Sequence, residues 1–217
     1  MSVRDLDTPH GPARLEVARA RSPVATLLVS HGAGAGADTH DLEALAAHLP
    51  RQGVTVARLT QPWRVAGRKV ATAPPTLDDA LLVAVDALRR SRRPLVLGGR
   101  SAGARSAARC AVRAGAEGCL ALSFPLHAPG RPERSRLDEL TGAGVPTLVV
   151  QGERDPMGTP DEFPADLDAS DVHLVVVPDA DHSLRTPKRS VLGADDVAAI
   201  LVEATVEWLG REVTGSS

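Results

Sequence analysis

Short apolar runs alternate along the chain with longer segments in which apolar residues recur every three or four positions. The runs predict buried β-strands, and the periodic segments predict amphipathic α-helices. Because the two kinds of element alternate, the pattern favours an α/β fold with a mostly parallel central sheet and helices on both faces. The predicted strands cover residues 24–30, 54–59, 95–97, 119–124, 146–150 and 172–177, with an additional antiparallel strand at 14–20, and the predicted helices cover residues 41–49, 77–90, 101–113 and 194–213.

The second predicted helix has the charge polarity that suits a helix dipole. Thr76 is the predicted N-cap, Asp78 and Asp79 lie in the first turn, and arginines occupy positions 89, 90, 92 and 93 at the other end. We interpret these arginines as a solvated helix end rather than a phosphate site. Cations suit the C-terminal end of a helix, and no aromatic residue for stacking lies among them.

Length and charge limit the architecture and the partners. The 217 residues are enough for a single domain, whose core we place at about residues 12–213, and no linker or internal repeat divides the chain. The stretch at 125–146 is too short for a large helical lid. A formal net charge of −2 argues against a nucleic-acid partner. Aromatic residues are scarce at 2%, so we expect a core of leucine, valine and alanine.

Cys110 and Cys119 are the chain's two cysteines, and their spacing matches no zinc motif. Two cysteines do not make a disulfide framework, so we expect a reduced, cytoplasmic setting, with Cys110 in the core. No apolar stretch resembles a secretory signal or reaches the ~18 residues that a membrane-spanning helix needs. We therefore expect no membrane association and no metal.

The strongest chemical signal is a Gly-x-Ser-x-Gly motif, Gly99-Arg100-Ser101-Ala102-Gly103, between a predicted strand and a predicted helix. A serine hydroxyl is a poor nucleophile unless a sharp turn presents it to a base. The two glycines allow such a turn because they have no Cβ atoms that would clash. The helix that follows directs its N-terminus at the reaction site, where negative charge develops. Ser101 is therefore the predicted nucleophile.

Two further residues follow predicted strands in the chain order that a serine nucleophile needs. Asp155 follows the fifth predicted strand, and His182 follows the sixth. The carboxyl ends of parallel strands share one edge of a sheet, so we expect Ser101, Asp155 and His182 to meet there. His182 is the predicted base and Asp155 the acid that orients it, with Glu153 and Asp161 as rivals for the acid.

Backbone N–H groups are the expected donors to the oxyanion of an acyl-transfer intermediate. One donor would be Ala102, directly after the nucleophile. The other would come from the glycine-rich loop after the first predicted strand, where Ala33 is the first choice and Gly34 the alternative. Glycines let the backbone of this loop approach a substrate closely.

Three more residues are candidates for the substrate pocket: His31, Arg100 and His127. For His127 a structural role is the favoured interpretation, and His31 is expected to support the oxyanion loop. Arg100 either pairs with an acid to hold the turn or faces an anionic substrate, and we favour the pairing.

Two other function classes compete with catalysis. Residues 32–37 read GAGAGA, which satisfies the permissive G-x-G-x-x-A pattern of dinucleotide binding. Such a site typically has an acidic residue at the end of the next strand, and residues 54–60 contain none. Arg58 in this segment would suit a 2′-phosphate. A dinucleotide-binding oxidoreductase is therefore the remote alternative. The nearer alternative is a non-catalytic binding or scaffold protein on the same fold.

The chain resembles the small lidless α/β-hydrolases of the dienelactone-hydrolase-like group over roughly residues 24–212. The resemblance rests on SHGAG at 30–34, GGRSAGAR at 98–105, FPLHAPG at 124–130, QGERDP at 151–156 and DADHS at 179–183. It implies the α/β-hydrolase fold without a large cap domain, with Ser101 as nucleophile, Asp155 as acid and His182 as base. Dienelactone hydrolase itself carries a cysteine at the nucleophile position, so Ser101 is a departure from its pattern.

These observations predict a serine hydrolase that cleaves an ester, thioester or related acyl bond of a small-molecule substrate through an acyl-enzyme. The reaction needs no metal and no organic cofactor. The sequence makes no prediction of the oligomeric state.

Overall fold

A single mixed β-sheet runs through the protein. The structure, a computed structural model, describes residues 1–89 and 93–215. Across those two ranges eight strands form the sheet, in the spatial order β1-β2-β4-β3-β5-β6-β7-β8. The strands are β1 Ser2–Thr8, β2 Gly11–Ala18, β3 Ala25–Ser30, β4 Val54–Thr60, β5 Leu95–Arg100, β6 Gly118–Leu122, β7 Thr147–Gly152 and β8 Val172–Val177.

The pairing confirms the predicted α/β architecture. Strands β3 to β8 pair in parallel, whereas β1 pairs antiparallel with β2, and β2 pairs antiparallel with β4. The antiparallel strand expected at 14–20 is β2. Strand β1 has no counterpart among the predicted strands. Its residues are mostly exposed and include Arg4, Asp5 and Asp7, so no apolar run marks it. Charged residues of this kind are common on the edge strand of a sheet.

Helices cover both faces of the sheet. They are α1 His40–His48, α2 Pro62–Val65, α3 Pro74–Leu88, α4 Ala102–Ala114, α5 Leu137–Thr141 and α6 Ala194–Leu209, which continues as a π-helical turn over Gly210–Thr214. The predicted N-cap Thr76 is wrong. Helix α3 begins two residues earlier at Pro74, where proline suits the first turn, and the Thr76 hydroxyl donates to the carbonyl of Ala73 at 2.7 Å. Of the arginines interpreted as its solvated end, those at 90 and 92 lie outside the described residues.

Two layers of leucine, valine and alanine fill the space between sheet and helices. One layer joins β3 and β6 to α1 and α6, and the other joins β3 and β4 to α3 and α4. Trp208 of α6 packs directly against the sheet, because Gly118 leaves room for its ring: a Cβ at Gly118 would lie 2.8 Å from it. Both cysteines are buried in the second layer, and burial raises the pKa of Cys110 to about 11 and that of Cys119 to about 12.

The parallel strands direct their carboxyl ends to one edge of the sheet. The loop 31–39 follows β3, residue 101 follows β5, and the loops 153–159 and 178–193 follow β7 and β8. This edge therefore gathers segments that are far apart in the chain. Across residues 1–89 and 93–215, none of the helices combines the length and the apolar character needed to cross a bilayer.

Candidate active site

Ser101 occupies the sharp turn between β5 and α4. Its backbone has φ 52° and ψ −114°, a conformation that L residues rarely adopt. The turn is possible because its neighbours lack side chains: a Cβ at Gly99 would lie 2.5 Å from the Ser30 carbonyl oxygen, and one at Gly103 would lie 2.2 Å from it. The predicted function of these two glycines is thus confirmed, and the turn exposes the Ser101 hydroxyl at the edge of the sheet.

His182 reaches Ser101 from the loop after β8. Its Nε2 atom lies 2.9 Å from the Ser101 hydroxyl, and its Nδ1 atom lies 2.8 Å from Oδ2 of Asp155. Since a carboxylate only accepts, Nδ1 carries the proton and Nε2 is free to accept one from the hydroxyl. The loop is shaped by the Asp181 carboxylate, which accepts hydrogen bonds from the backbone N–H groups of Ser183 and Arg185.

Asp155 is fully buried, and the structure surrounds its carboxylate with donors. Besides the contact with His182, Oδ1 accepts from the backbone N–H of Met157 at 2.8 Å, and Oδ2 accepts from Nε2 of Gln151 at 2.9 Å. Of the rival acids, Glu153 instead accepts from the backbone N–H of Asp179 at 2.7 Å, so its carboxylate is engaged elsewhere.

Gln151 is a site residue that sequence analysis missed. It is fully buried at the end of β7, and its amide also donates to the carbonyl oxygens of Gly158 at 2.8 Å and Phe124 at 3.3 Å. All of these partners are acceptors, so the amide nitrogen must face them. The available signal was a polar residue next to the end of an apolar strand, four positions before the acid.

The candidate oxyanion donors belong to two different backbone segments, the start of α4 and the loop 31–39. Ala102 is the first residue of α4, and the N–H groups of a helix's first turn have no acceptor within the helix. Ala33 and Gly34 are exposed in the loop 31–39. This loop passes close to Ser101, since a Cβ at Gly32 would lie 3.2 Å from Cβ of Ser101. Both backbone segments therefore lie near Ser101, and their role as oxyanion donors stays a prediction.

His31 is the first residue of the loop 31–39, and its side chain is enclosed by the protein. It is fully buried; Nδ1 donates to the Gly32 carbonyl at 2.8 Å, and Nε2 accepts from the backbone N–H of Gln61 at 3.0 Å. The ring meets Trp63 edge-on at 5.3 Å between centroids. Burial lowers the pKa of His31, in agreement with the neutral tautomer that these partners require. These contacts agree with the expected support of the loop, and the candidate pocket role stays a prediction.

His127 is also withdrawn from the surface, with 8% of its side chain exposed. Its Nδ1 lies 2.9 Å from the Ala128 carbonyl oxygen, and its Nε2 lies 2.8 Å from a carboxylate oxygen of Glu162. Both partners accept, so the ring binds them best with both nitrogens protonated. The pKa of His127 is accordingly raised, first by the bond to Ala128 and then by Glu162. The favoured structural role agrees with this geometry, and its candidate role in the pocket stays a prediction.

Arg100 is buried, and its guanidinium binds two groups of the protein. Nε donates to Oδ2 of Asp41 at 2.9 Å, and Nη2 donates to the backbone carbonyl of His182 at 2.6 Å. The expected pairing with an acid is confirmed by the contact with Asp41. These partners engage two of the three guanidinium nitrogens, and the candidate contact with substrate stays a prediction.

In the described ranges, the arginine considered for dinucleotide binding is engaged with protein groups. Among residues 1–89 and 93–215, no three His, Cys, Asp or Glu side chains come together in a way that would hold a metal ion. The side chain of Arg58, the residue that would meet a 2′-phosphate, donates instead to Glu16 at 2.6 Å and to the Ala37 carbonyl at 2.9 Å. The guanidinium is thus already paired at the end of the glycine-rich loop.

Comparison with known proteins identifies the family. Residues 23–210 match the alpha/beta hydrolase domain family. No curated protein sequence matches the chain significantly. Among solved structures, the chain is similar to an α/β serine hydrolase without a lid from Xanthomonas campestris, with 22% identity, a TM-score of 0.72 and coverage of 95% of this chain and 94% of that one.

Two further solved structures show the same fold. Est1E from Butyrivibrio proteoclasticus has 13% identity and a TM-score of 0.72, with coverage of 97% of this chain and 100% of that one. A dienelactone hydrolase from Anabaena variabilis has 15% identity and a TM-score of 0.70, with coverage of 97% of both chains. The chain belongs to the alpha/beta hydrolase domain family, and its described residues form the small version of that fold, without a cap domain.

Proposed function

We propose that the chain is a serine hydrolase that cleaves an ester, thioester or related acyl bond of a small-molecule substrate. One observation carries the proposal: His182 lies 2.9 Å from the Ser101 hydroxyl on one side of its ring and 2.8 Å from the Asp155 carboxylate on the other. A hydroxyl, an imidazole and a carboxylate in this series can move a proton off the nucleophile and hold the resulting imidazolium.

In the first half of the reaction, the Ser101 oxygen forms a bond to the substrate's carbonyl carbon while its proton moves to Nε2 of His182. Asp155 keeps the imidazole in the required tautomer and stabilises its charged form. The backbone N–H groups of Ala102 and Ala33, or Gly34 in its place, donate to the oxyanion. His182 then gives the proton to the leaving group as its bond to the carbonyl carbon breaks.

In the second half, water replaces the leaving group. Nε2 of His182 takes a proton from the water as its oxygen attacks the acyl-enzyme carbonyl, and the same proton returns to the Ser101 oxygen when the acyl bond breaks. The carboxylic acid leaves and the resting enzyme is restored. Every step uses groups of this chain and water. We also infer that residues 1–217 act as one domain, since β1 to β8 form a continuous sheet.

A panel of chromogenic acyl esters and thioesters of graded chain length tests this proposal. We expect at least one substrate to be cleaved with saturation kinetics, and we expect Ser101→Ala to remove that activity. A scaffold protein on the same fold would give rates no higher than those of the folded Ser101→Ala variant with every substrate. That outcome would refute the hydrolase.

A further inference from the structure

Arg100 joins three parts of the site from one buried position. It is the last residue of β5, directly before Ser101, and only 7% of it is exposed. Its side chain contacts helix α1 through Asp41 and the loop after β8 through the backbone carbonyl of His182. Resting on the proposed function, we propose that Arg100 is a positioning residue that fixes the backbone of His182 relative to Ser101.

The contact with Asp41 holds the guanidinium in place. Asp41 is 1% exposed, and while Oδ2 accepts from Nε of Arg100, Oδ1 accepts from the backbone N–H of Leu42 at 3.0 Å. A buried carboxylate with both oxygens engaged has little freedom to turn. The guanidinium is planar, so fixing Nε also fixes the direction in which Nη2 donates.

That direction leads to the loop that carries the base. Nη2 lies 2.6 Å from the carbonyl oxygen of His182, whereas the His182 side chain is 21% exposed and receives less support from packing than Asp155 does. Ser101 and Arg100 are neighbours in the chain. The nucleophile and the backbone of its base are therefore tied together through a single side chain, independently of the contact between hydroxyl and imidazole.

The same guanidinium also borders the oxyanion loop. A Cβ at Gly32 would lie 3.5 Å from Nη1 of Arg100, so the backbone of this loop passes directly over the group. Helix α1, which carries Asp41, follows this loop in the chain. Arg100 thus contacts the backbone of His182 and borders the loop that would hold the oxyanion, although its own side chain is buried.

Arg100→Lys is the informative variant. A lysine keeps the charge that pairs with Asp41, but its compact ammonium cannot donate along the two fixed directions of a guanidinium. We expect kcat to fall by about 10- to 100-fold with little change in KM, because small displacements of reacting groups act mainly on turnover. We also expect the downfield proton NMR signal of the Nδ1–H of His182 to weaken or shift.

Arg109→Lys is the matched control. Arg109 lies on α4, donates twice to Asp78 at 2.9 and 2.7 Å and once to Glu139 at 2.9 Å, and neither acid belongs to the loop that carries His182. This variant also loses a guanidinium–carboxylate pair, but we expect it to keep the wild-type kcat and NMR signal. A purely structural role for Arg100 would make the two variants alike, with lower stability and equal turnover per folded molecule.

Asp41→Asn provides a second test if Arg100→Lys does not fold. It keeps Arg100 but removes the charge that holds it, so we expect a smaller decrease in kcat at constant KM. Wild-type kcat with an unchanged signal in either folded variant would overturn the proposal while leaving the hydrolase intact. Failure of the wild-type protein to hydrolyse any substrate in the panel would instead refute the proposed function on which this inference rests.

Discussion

Gly103 lies so close to Ser30 that a Cβ on residue 103 would fall 2.2 Å from the Ser30 carbonyl oxygen. The first turn of α4 therefore rests on the end of β3, the strand that leads into the loop 31–39. Through this contact, the turn that presents Ser101 and the loop that carries Ala33 have a fixed relation to each other. The close approach requires glycine, since the oxygen is part of a buried strand.

Gly103→Ala should destabilise the fold, because the added methyl group forces the first turn of α4 away from β3. We expect a loss of about 1–3 kcal/mol or more in the free energy of unfolding, measured with urea. Gly34→Ala is the matched control for stability, since a Cβ at Gly34 meets nothing within 4 Å. Equal urea midpoints for the two variants would contradict the close contact.

Asp155→Asn should lower kcat by roughly 10³- to 10⁴-fold, because an amide does not enforce the tautomer of His182 or stabilise its charged form. Asp161→Asn replaces the rival acid, which is exposed, and should leave kcat near its wild-type value. Steady-state kinetics on one cleaved ester would compare the two. The opposite order of effects would assign the acid to Asp161 and show that Asp155 is a structural residue.

Gln151→Leu should reduce both stability and turnover. Leucine fills much of the same space but leaves Oδ2 of Asp155 and the Gly158 carbonyl without this donor. Oδ2 keeps its contact with Nδ1 of His182, but a buried acceptor that loses its donor, as the Gly158 carbonyl does, costs about 1–3 kcal/mol, so we expect a lower urea midpoint. We also expect kcat to fall while KM changes little, because the carboxylate loses a contact that orients it. Unchanged kcat would show that the backbone alone holds Asp155.

The pair of His127 and Glu162 should stabilise the fold most in mildly acidic solution. The pKa of His127 is raised above 6.5, and that of Glu162 is lowered below 4.5, chiefly by the bond from the Thr159 backbone. The contribution of His127 to stability is therefore complete below pH 6.5 and is lost as the pH rises through its raised pKa. The contribution of the Glu162 carboxylate to stability is present above pH 4.5 and is lost as the pH falls through its lowered pKa.

The substitution His127→Gln should accordingly lower the free energy of unfolding more at about pH 6 than at about pH 9. Urea unfolding of wild-type and variant proteins at the two pH values would measure this difference. Glu162→Gln should show the same dependence, because each variant removes one half of the pair. A loss of stability that does not change with pH would mean that His127 is neutral in the folded protein.

The sequence predicted the parallel part of the sheet and the proximity of Ser101, Asp155 and His182, because both follow from local patterns. Fully buried strands such as β3 leave continuous apolar runs, and the carboxyl ends of parallel strands must share an edge. Ser101, Asp155 and His182 each follow such a run, so their meeting could be expected before any distance was known. Elements without an apolar run, such as β1, gave no comparable signal.

Long-range polar partners could not be predicted from local patterns. Asp41 precedes Arg100 by 59 residues, and nothing in the sequence around it distinguishes it from the other acids near helix starts. Gln151 is likewise buried by the tertiary structure, at the end of β7. Their roles depend on which loops cross above them, and that arrangement is fixed only when the whole sheet has formed.

Reaction with a fluorophosphonate probe tests the central claim most directly, since it requires a serine that its own protein has activated. We expect one probe molecule per chain, located by mass spectrometry on Ser101, and slower labelling in a folded His182→Ala variant. Labelling of a folded Ser101→Ala protein at the same rate and extent as the wild type would contradict the account.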